Sequence, residues 1–239
     1  MMTGLMRSLI LALLTFCSGT LFSQHTFREL DRVYGLDPLL FNGKKYSYFM
    51  PSGTGGNQFF FSAEFVKGGL VIRGQGEEET RRKGEKDFLL NYDVYNQKLL
   101  LKFTDETGAE QIIEVSEAWL EGFSLDDLNF IYIKDENESR IFQVLGTGSY
   151  KVLYYWRKNL ILTNTATASS YAFTSPIKTS YLLIDGKPRQ FGSKGSFMKL
   201  FNPAHKVEIK NYLQANGINL KKASDRAMTD LINYISNLD

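Results

Sequence analysis

From residue 57 to about residue 192 the chain runs in short apolar clusters cut by Gly, Asn, Asp or charged residues. The segments NQFFFSAEF, GGLVIRG, DFLLNYDVY, KLLLKF, QIIEVS, FIYI, RIFQVLG, YKVLYYW, LILT, SYAFT and SYLLI are rich in Tyr, Phe, Val, Ile and Leu, residues that suit a pleated, half-buried surface. Turn signals recur about every ten residues with no helical segment between them, a spacing that predicts an antiparallel meander rather than parallel strands joined by helices. Asn42-Gly43 and Asp185-Gly186 are the clearest hairpin signals, because both pairs tolerate the positive φ of a two-residue turn.

Residues 89–103, LLNYDVYNQKLLLKF, show the pattern most plainly. Leu90, Tyr92 and Val94 fall on one face of a strand, and Leu89, Asn91, Asp93 and Tyr95 on the other. The first set predicts a wall facing a core; the second is mixed. Leu99, Leu100 and Leu101 make the next strand apolar on both faces, so it is expected inside a sheet rather than at its edge.

The period changes at the two ends. Thr26 and Glu29 stand at capping-box spacing and predict a short helix to about Tyr34, closed by Gly35. Asn202-Pro203 reads as cap and first helical position, followed by Val207, Ile209, Tyr212 and Leu213 up to Gly217. Ser224 caps a second helix whose Ala227, Met228, Leu231, Ile232, Ile235 and Leu238 form one apolar stripe. Burying such side chains is worth roughly 1.5–3 kcal/mol each, so this helix is expected to pack on the sheet or on a partner. The expected fold is therefore mainly β: an antiparallel meander over residues 24–200, curled into a barrel or sandwich, with a short N-terminal helix and a helical pair over residues 201–239 packed on it.

Residues 1–23 have a different grammar: Arg7, an apolar run from Leu9 to Phe16, then small or polar residues to Ser23. This predicts a secretory signal cleaved near Ser23 and Gln24, and hence a secreted or periplasmic protein. The run is too short for the roughly 20 apolar residues of a spanning helix. Cys17 follows Phe16 where a lipidation signal needs a small residue, which argues against an anchor there. Lipid-facing strands need a clean outward apolar band; charged residues and the terminal helices interrupt one here, so a membrane barrel is not expected.

Removing residues 1–23 takes Arg7 and no acid, so 28 basic residues become 27 against 26 acidic. A nearly neutral chain does not fit nucleic acid as the main partner. Cys17 is the sole cysteine, which leaves the exported body without disulfides or thiol chemistry. Charge is nonetheless uneven. Residues 105–138 hold eleven acids against Lys134, while residues 140–239 hold fourteen bases and five acids. Such asymmetry steers polar ligands or sets solubility.

The segments DPLLFNGKKYSYF, GTGGNQFFF, GGLVIRG, LLNYDVYNQKLLL and FQVLGTGSYKVLYYW together resemble those of uncharacterised secreted or periplasmic β-rich proteins of Bacteroidota. The resemblance covers nearly all of the chain after the signal and implies export and a β-rich body; it implies no activity, cofactor or catalytic residue. One departure is Met50-Pro51 and a glycine-rich segment where that pattern has a His-Pro pair.

Candidate chemistry is sparse. His25 and His205 are the only histidines, so a zinc site would need most of its ligands from carboxylates and a Ser-His-Asp triad would have to use one of these two as base; His205 reads instead as a solvated or capping residue, and no metal or cofactor is expected. GTGSYK, residues 146–151, has a Gly-x-Gly and a lysine but neither P-loop spacing nor a following helix, so it reads as a turn between strands. Glu114, Glu117, Glu121, Asp126 and Asp127 are candidates for a glycosidase pair, which requires two carboxyls about 5 to 10 Å apart. Residues 135–138, DENE, lack the glycine and ligand spacing of a calcium loop. In YKVLYYWRK, Tyr150, Val152, Tyr154 and Trp156 share a core-like face, whereas Tyr155, flanked by Lys151 and Arg157, is the candidate ligand-binding aromatic. The leading expectation is a non-catalytic cell-envelope protein that binds a polysaccharide or another protein; the alternatives are a glycan hydrolase using paired carboxylates and a structural partner in a larger envelope assembly.

Overall fold

The computed structural model describes residues 45–72, 82–83, 88–104, 107–118, 120–134, 139–164 and 169–238. The expected signal segment, the helix from Thr26, the Asn42-Gly43 turn and the DENE segment lie outside them. The protein is mainly β, with a helical C-terminal region. Strands β4 (Phe88–Asp93), β5 (Lys98–Thr104) and β6 (Glu110–Glu114) form a meander, to which β1 (Val66–Gly68) adds on the β4 side. A second sheet has the order β14-β13-β10-β9-β8-β7-β2-β3, built from β2 (Leu70–Ile72), β3 (Arg82–Lys83), β7 (Leu120–Leu125), β8 (Leu128–Lys134), β9 (Ser139–Leu145), β10 (Lys151–Arg157), β13 (Ile177–Ile184) and β14 (Lys187–Phe191). Between β10 and β13 the chain makes a separate hairpin, β11 (Leu160–Asn164) with β12 (Ser169–Phe173).

The two sheets are joined through Gly68 and Gly69. Gly69 donates its amide to Ser124 Oγ at 2.9 Å and accepts the Ser124 amide at 2.9 Å. A Cβ on Gly68 would lie 2.0 Å from the Ser124 carbonyl oxygen, so only glycine lets the backbone pass this close. The chain thereby leaves the edge of one sheet and enters the other without a loop.

Register explains where the core forms. Leu70, Phe123, Phe130, Gln143, Tyr154, Ser180 and Phe191 face one another across seven consecutive strands and so lie on one face. The four-stranded sheet covers one end of that row: Tyr92 meets Phe123 and Phe130 with ring centroids 5.9 and 5.7 Å apart. Leu90, Tyr92 and Val94 are fully buried, and β5, with β4 and β6 on its two sides, is interior to its sheet as its leucines predict.

Helices cover the other end. The last helix, α3 (Asp225–Ser236), is capped by the Ser224 side chain and buries Met228, Leu231, Ile232 and Ile235 against Val152, Tyr154 and Leu182. Before it, Asn202 caps a single 3₁₀ turn containing Pro203 and His205, and α2 (Lys206–Ala215) follows and buries Ile209 and Leu213. A further short helix, α1 (Lys194–Met198), was not signalled by hydrophobic period. Reciprocal hydrogen bonds between Ser193 and Ser196 start it, and it inserts Phe197 into the same core.

The Gly-x-Gly of residues 146–148 is a turn, and its glycines are explained by α3. Cβ atoms at Gly146 and Gly148 would approach Ile232 Cγ2 to 2.4 Å and Ser236 Cβ to 2.3 Å. Thr147 and Tyr150 donate their amides to Asn233 Oδ1 and Ser236 Oγ at 3.0 and 3.2 Å. The absence of side chains there admits the helix, not a phosphate.

One strand expectation is corrected. Residues 57–65 do not form a continuous strand: Phe60 donates to the Tyr92 carbonyl and Val94 to the Gln58 carbonyl, then residues 61–65 swing out before β1 resumes pairing with β4. The Asn91 amide bridges the excursion, donating to the carbonyls of Ser62 and Glu64 at 3.1 and 3.0 Å. A side chain thus replaces the ladder.

Candidate functional site

Residues 45–60 form a strap across the outer face of the four-stranded sheet. Lys45 bridges to Ile113 on β6, Gly55 exchanges hydrogen bonds with Tyr171 and Phe173 of β12, and Phe59 bridges to Asp93 on β4. Met50-Pro51 and the glycines that follow favour an extended, turning path over a second hairpin arm. YSYF, residues 46–49, is therefore not paired as a strand beyond Lys45.

The strap is fixed by a buried acid. Asp93 accepts from the backbone amides of Tyr95 and Asn96 at 3.1 and 2.9 Å, from Asn96 Nδ2 at 2.7 Å, and from the Tyr46 hydroxyl. Gln58 Nε2 donates to the same Tyr46 oxygen at 3.2 Å. Four donors on two oxygens offset the cost of burying the charge. Burial, and then the bond to Asp93, pushes the Tyr46 pKa up and keeps that hydroxyl a neutral donor. Lys158 stands nearby, its ammonium donating to the Asn57 carbonyl and Oδ1 at 2.9 and 3.3 Å. Burial lowers its pKa, with the Asp93 charge working in the opposite direction.

Beside this cluster lies a cleft of about 370 Å³. Tyr48, Phe49 and Met50 of the strap form one wall, the β4–β5 turn supplies Tyr95 and Asn96, and Leu160 and Phe173 of the β11–β12 hairpin form another side. Lys98 and Glu114, on one face of β5 and β6, complete it. The aromatic groups are open to solvent: Phe49 is 93% exposed, Tyr48 48% and Tyr95 43%. Tyr95 meets Phe173 edge-on at 5.3 Å, and Tyr48 lies 5.1 Å from Tyr46. Flat apolar rings beside fixed amides and charges suit a ligand with both apolar faces and polar rims.

The candidate acids fall on β6, β7 and the turns beside them. Glu114 lines the cleft. Glu117 is held by Lys98 at 2.6 Å and by the Tyr132 hydroxyl; burial works to raise its pKa, but these two bonds outweigh it and hold it below the usual carboxylate range. Glu121 is on β7, and Asp126 and Asp127 form the exposed β7–β8 turn. Among the described residues, no three His, Cys, Asp or Glu side chains are grouped so as to hold a metal ion.

The other candidate site lies on β10. Tyr155 is half-buried beside Phe142, with the Arg140 and Arg157 guanidiniums 5.6 and 5.8 Å from its ring centre. The structure brings Tyr155 and Arg157 together but leaves Lys151 four residues away, about 13 Å along the strand. Sequence reasoning passed over Tyr48, Phe49 and Asn96; the aromatic density of YSYF, just before Met50-Pro51, was the one signal available. Comparison with known proteins identifies no relative: no family model, no curated protein and no solved structure matches this chain.

Proposed function

We propose that this is an exported, non-catalytic cell-envelope protein whose strap-walled cleft binds a glycan. The observation that carries the reading is the exposure of Tyr48, Phe49 and Tyr95 around one cleft whose polar floor is already ordered by Asp93. Aromatic faces stack on the apolar faces of sugar rings, and amide and carboxylate groups at the rim take their hydroxyls. Export is supported by the Arg7 and Leu9–Phe16 pattern, and the envelope assignment by the resemblance to secreted proteins of Bacteroidota. Among the described residues no helix is long and apolar enough to cross a membrane.

A hydrolase in the same cleft would require a second carboxyl about 5 to 10 Å from Glu114. Asp93 has both oxygens engaged by donors and Glu117 is paired with Lys98, which favours binding over catalysis. The test is affinity electrophoresis or calorimetry against envelope polysaccharides, comparing the unmodified chain with Tyr48→Ala and Phe49→Ala. Each substitution is expected to weaken binding by about threefold to tenfold, from roughly 0.5–1.5 kcal/mol per stacked ring. Unchanged affinity in both would overturn the assignment of the cleft, and glycan cleavage by the purified protein would overturn the non-catalytic reading.

A further inference from the structure

Resting on that binding reading, we infer that the cleft selects uncharged, hydroxyl-rich glycans and rejects acidic ones. Several donors beside the cleft are already engaged by Asp93. The Tyr46 hydroxyl proton, the Tyr95 and Asn96 amides and one Asn96 side-chain N–H all go to Asp93. Asn96 therefore turns its NH₂ end inward, and its carbonyl oxygen, which accepts from no donor among the described residues, is left for solvent or ligand.

Two nearby ammonium groups are engaged as well. Lys98 lines the cleft but is held 2.6 Å from Glu117, and the Lys158 ammonium is turned to Asn57. Glu114 also lines the cleft, and its carboxylate has no hydrogen-bond or ion-pair partner among the described residues. Of the two charged residues in the lining, Lys98 is neutralised by Glu117, which leaves Glu114 as the charge without a counter-ion. An incoming ligand thus meets the Asn96 carbonyl oxygen and the unneutralised Glu114 carboxylate. Sugar hydroxyls donate into such a rim, whereas uronate, sulfate and phosphate groups bring acceptors to acceptors and are repelled.

The test measures binding of the unmodified chain and of Glu114→Gln to neutral glycans (β-glucan, mannan and xylan) and acidic ones (alginate, polygalacturonate and chondroitin sulfate). Measurements at about 20 mM and about 150 mM salt bracket a large change in screening length. At low salt at least one neutral glycan is expected to bind at least about tenfold more tightly than every acidic one. That gap is expected to narrow at higher salt and in Glu114→Gln. Salt dependence in the unmodified chain keeps the question answerable if the variant does not fold. An acidic glycan bound as tightly as the best neutral one, or a gap that neither salt nor Glu114→Gln alters, overturns the selectivity inference and leaves the binding reading standing. If no glycan of either kind binds, or binding is indifferent to Tyr48 and Phe49, the binding reading itself falls and the inference with it.

Discussion

At the residue scale, Asp93 is the position on which the cleft depends. It terminates β4, its Oδ1 takes two turn amides, and its Oδ2 takes Asn96 and Tyr46, so one carboxylate sets both the β4–β5 turn and the strap. Asp93→Ala leaves those donors without an acceptor and is expected to lower stability by about 2–4 kcal/mol, read from the urea midpoint. Tyr46→Phe removes the bond donated to Asp93 and the one accepted from Gln58, and is expected to cost about 1–2 kcal/mol. A loss in Asp93→Ala no larger than in Tyr46→Phe would show that the carboxylate does not organise the turn. Little of this was legible in the sequence. Alternation placed Asp93 on the outer face of its strand, but its partner Tyr46 is 47 positions away and its saturation arises only when the strap lies down. Tyr155 and Arg157, by contrast, were placed together by their two-residue spacing alone, because a strand returns to the same face at every second residue.

At the element scale, the strands and the last helix follow from short-range pattern, and the interruptions do not. Leu90, Tyr92 and Val94 face the core because alternation admits no other arrangement once β4 pairs, and Asp185-Gly186 turns β13 into β14 with φ of 49° and 73°. Residues 57–65 carry the same apolar richness yet break midway, because the Asn91 amide captures two carbonyls that a ladder would otherwise have used. Such competition depends on a residue in another strand. The α3 stripe is different: its period of 3.6 identifies the buried face in advance, and the glycines of the β9–β10 turn receive it. Ile232 is fully buried against the sheet and lies over Gly146. Ile232→Ala is expected to destabilise the protein by about 2–5 kcal/mol by thermal or urea unfolding, with glycan affinity of the folded fraction unchanged because α3 contributes nothing to the cleft lining. A stability change below about 1 kcal/mol would show that the helix is only loosely docked.

At the scale of the whole molecule, one face of the eight-stranded sheet is shared between two covers: the four-stranded sheet over Phe123 and Phe130, and the helices over Tyr154 and Phe191. Gln143 bridges the two regions, accepting from Trp156 Nε1 at 2.8 Å and donating to Asp225 Oδ2 at 2.6 Å. Tyrosines recur throughout these layers, and their burial has a pH consequence. Burial raises the pKa of Tyr46, Tyr92 and Tyr154, and burial with the bond to Glu117 raises Tyr132 to about 12. In the unfolded chain these phenols ionise near 10, so their contribution is fully present below that pH and is lost as pH rises through 10 toward and beyond 12. Lys158 opposes this, since its lowered pKa favours folding as pH climbs toward the ordinary lysine value, but it is one group against four. The thermal midpoint is therefore expected to fall steadily from pH 9 to pH 11.5 (about the onset and upper part of that window), whereas a flat profile would contradict burial of these hydroxyls. The most direct measurement of the central claim is a backbone-amide NMR titration of the protein with a neutral oligosaccharide that it binds. The account predicts that the largest shifts fall on Tyr48, Phe49, Tyr95 and Asn96; shifts centred on Tyr155 and Arg157 instead, or spread without a focus, would contradict it.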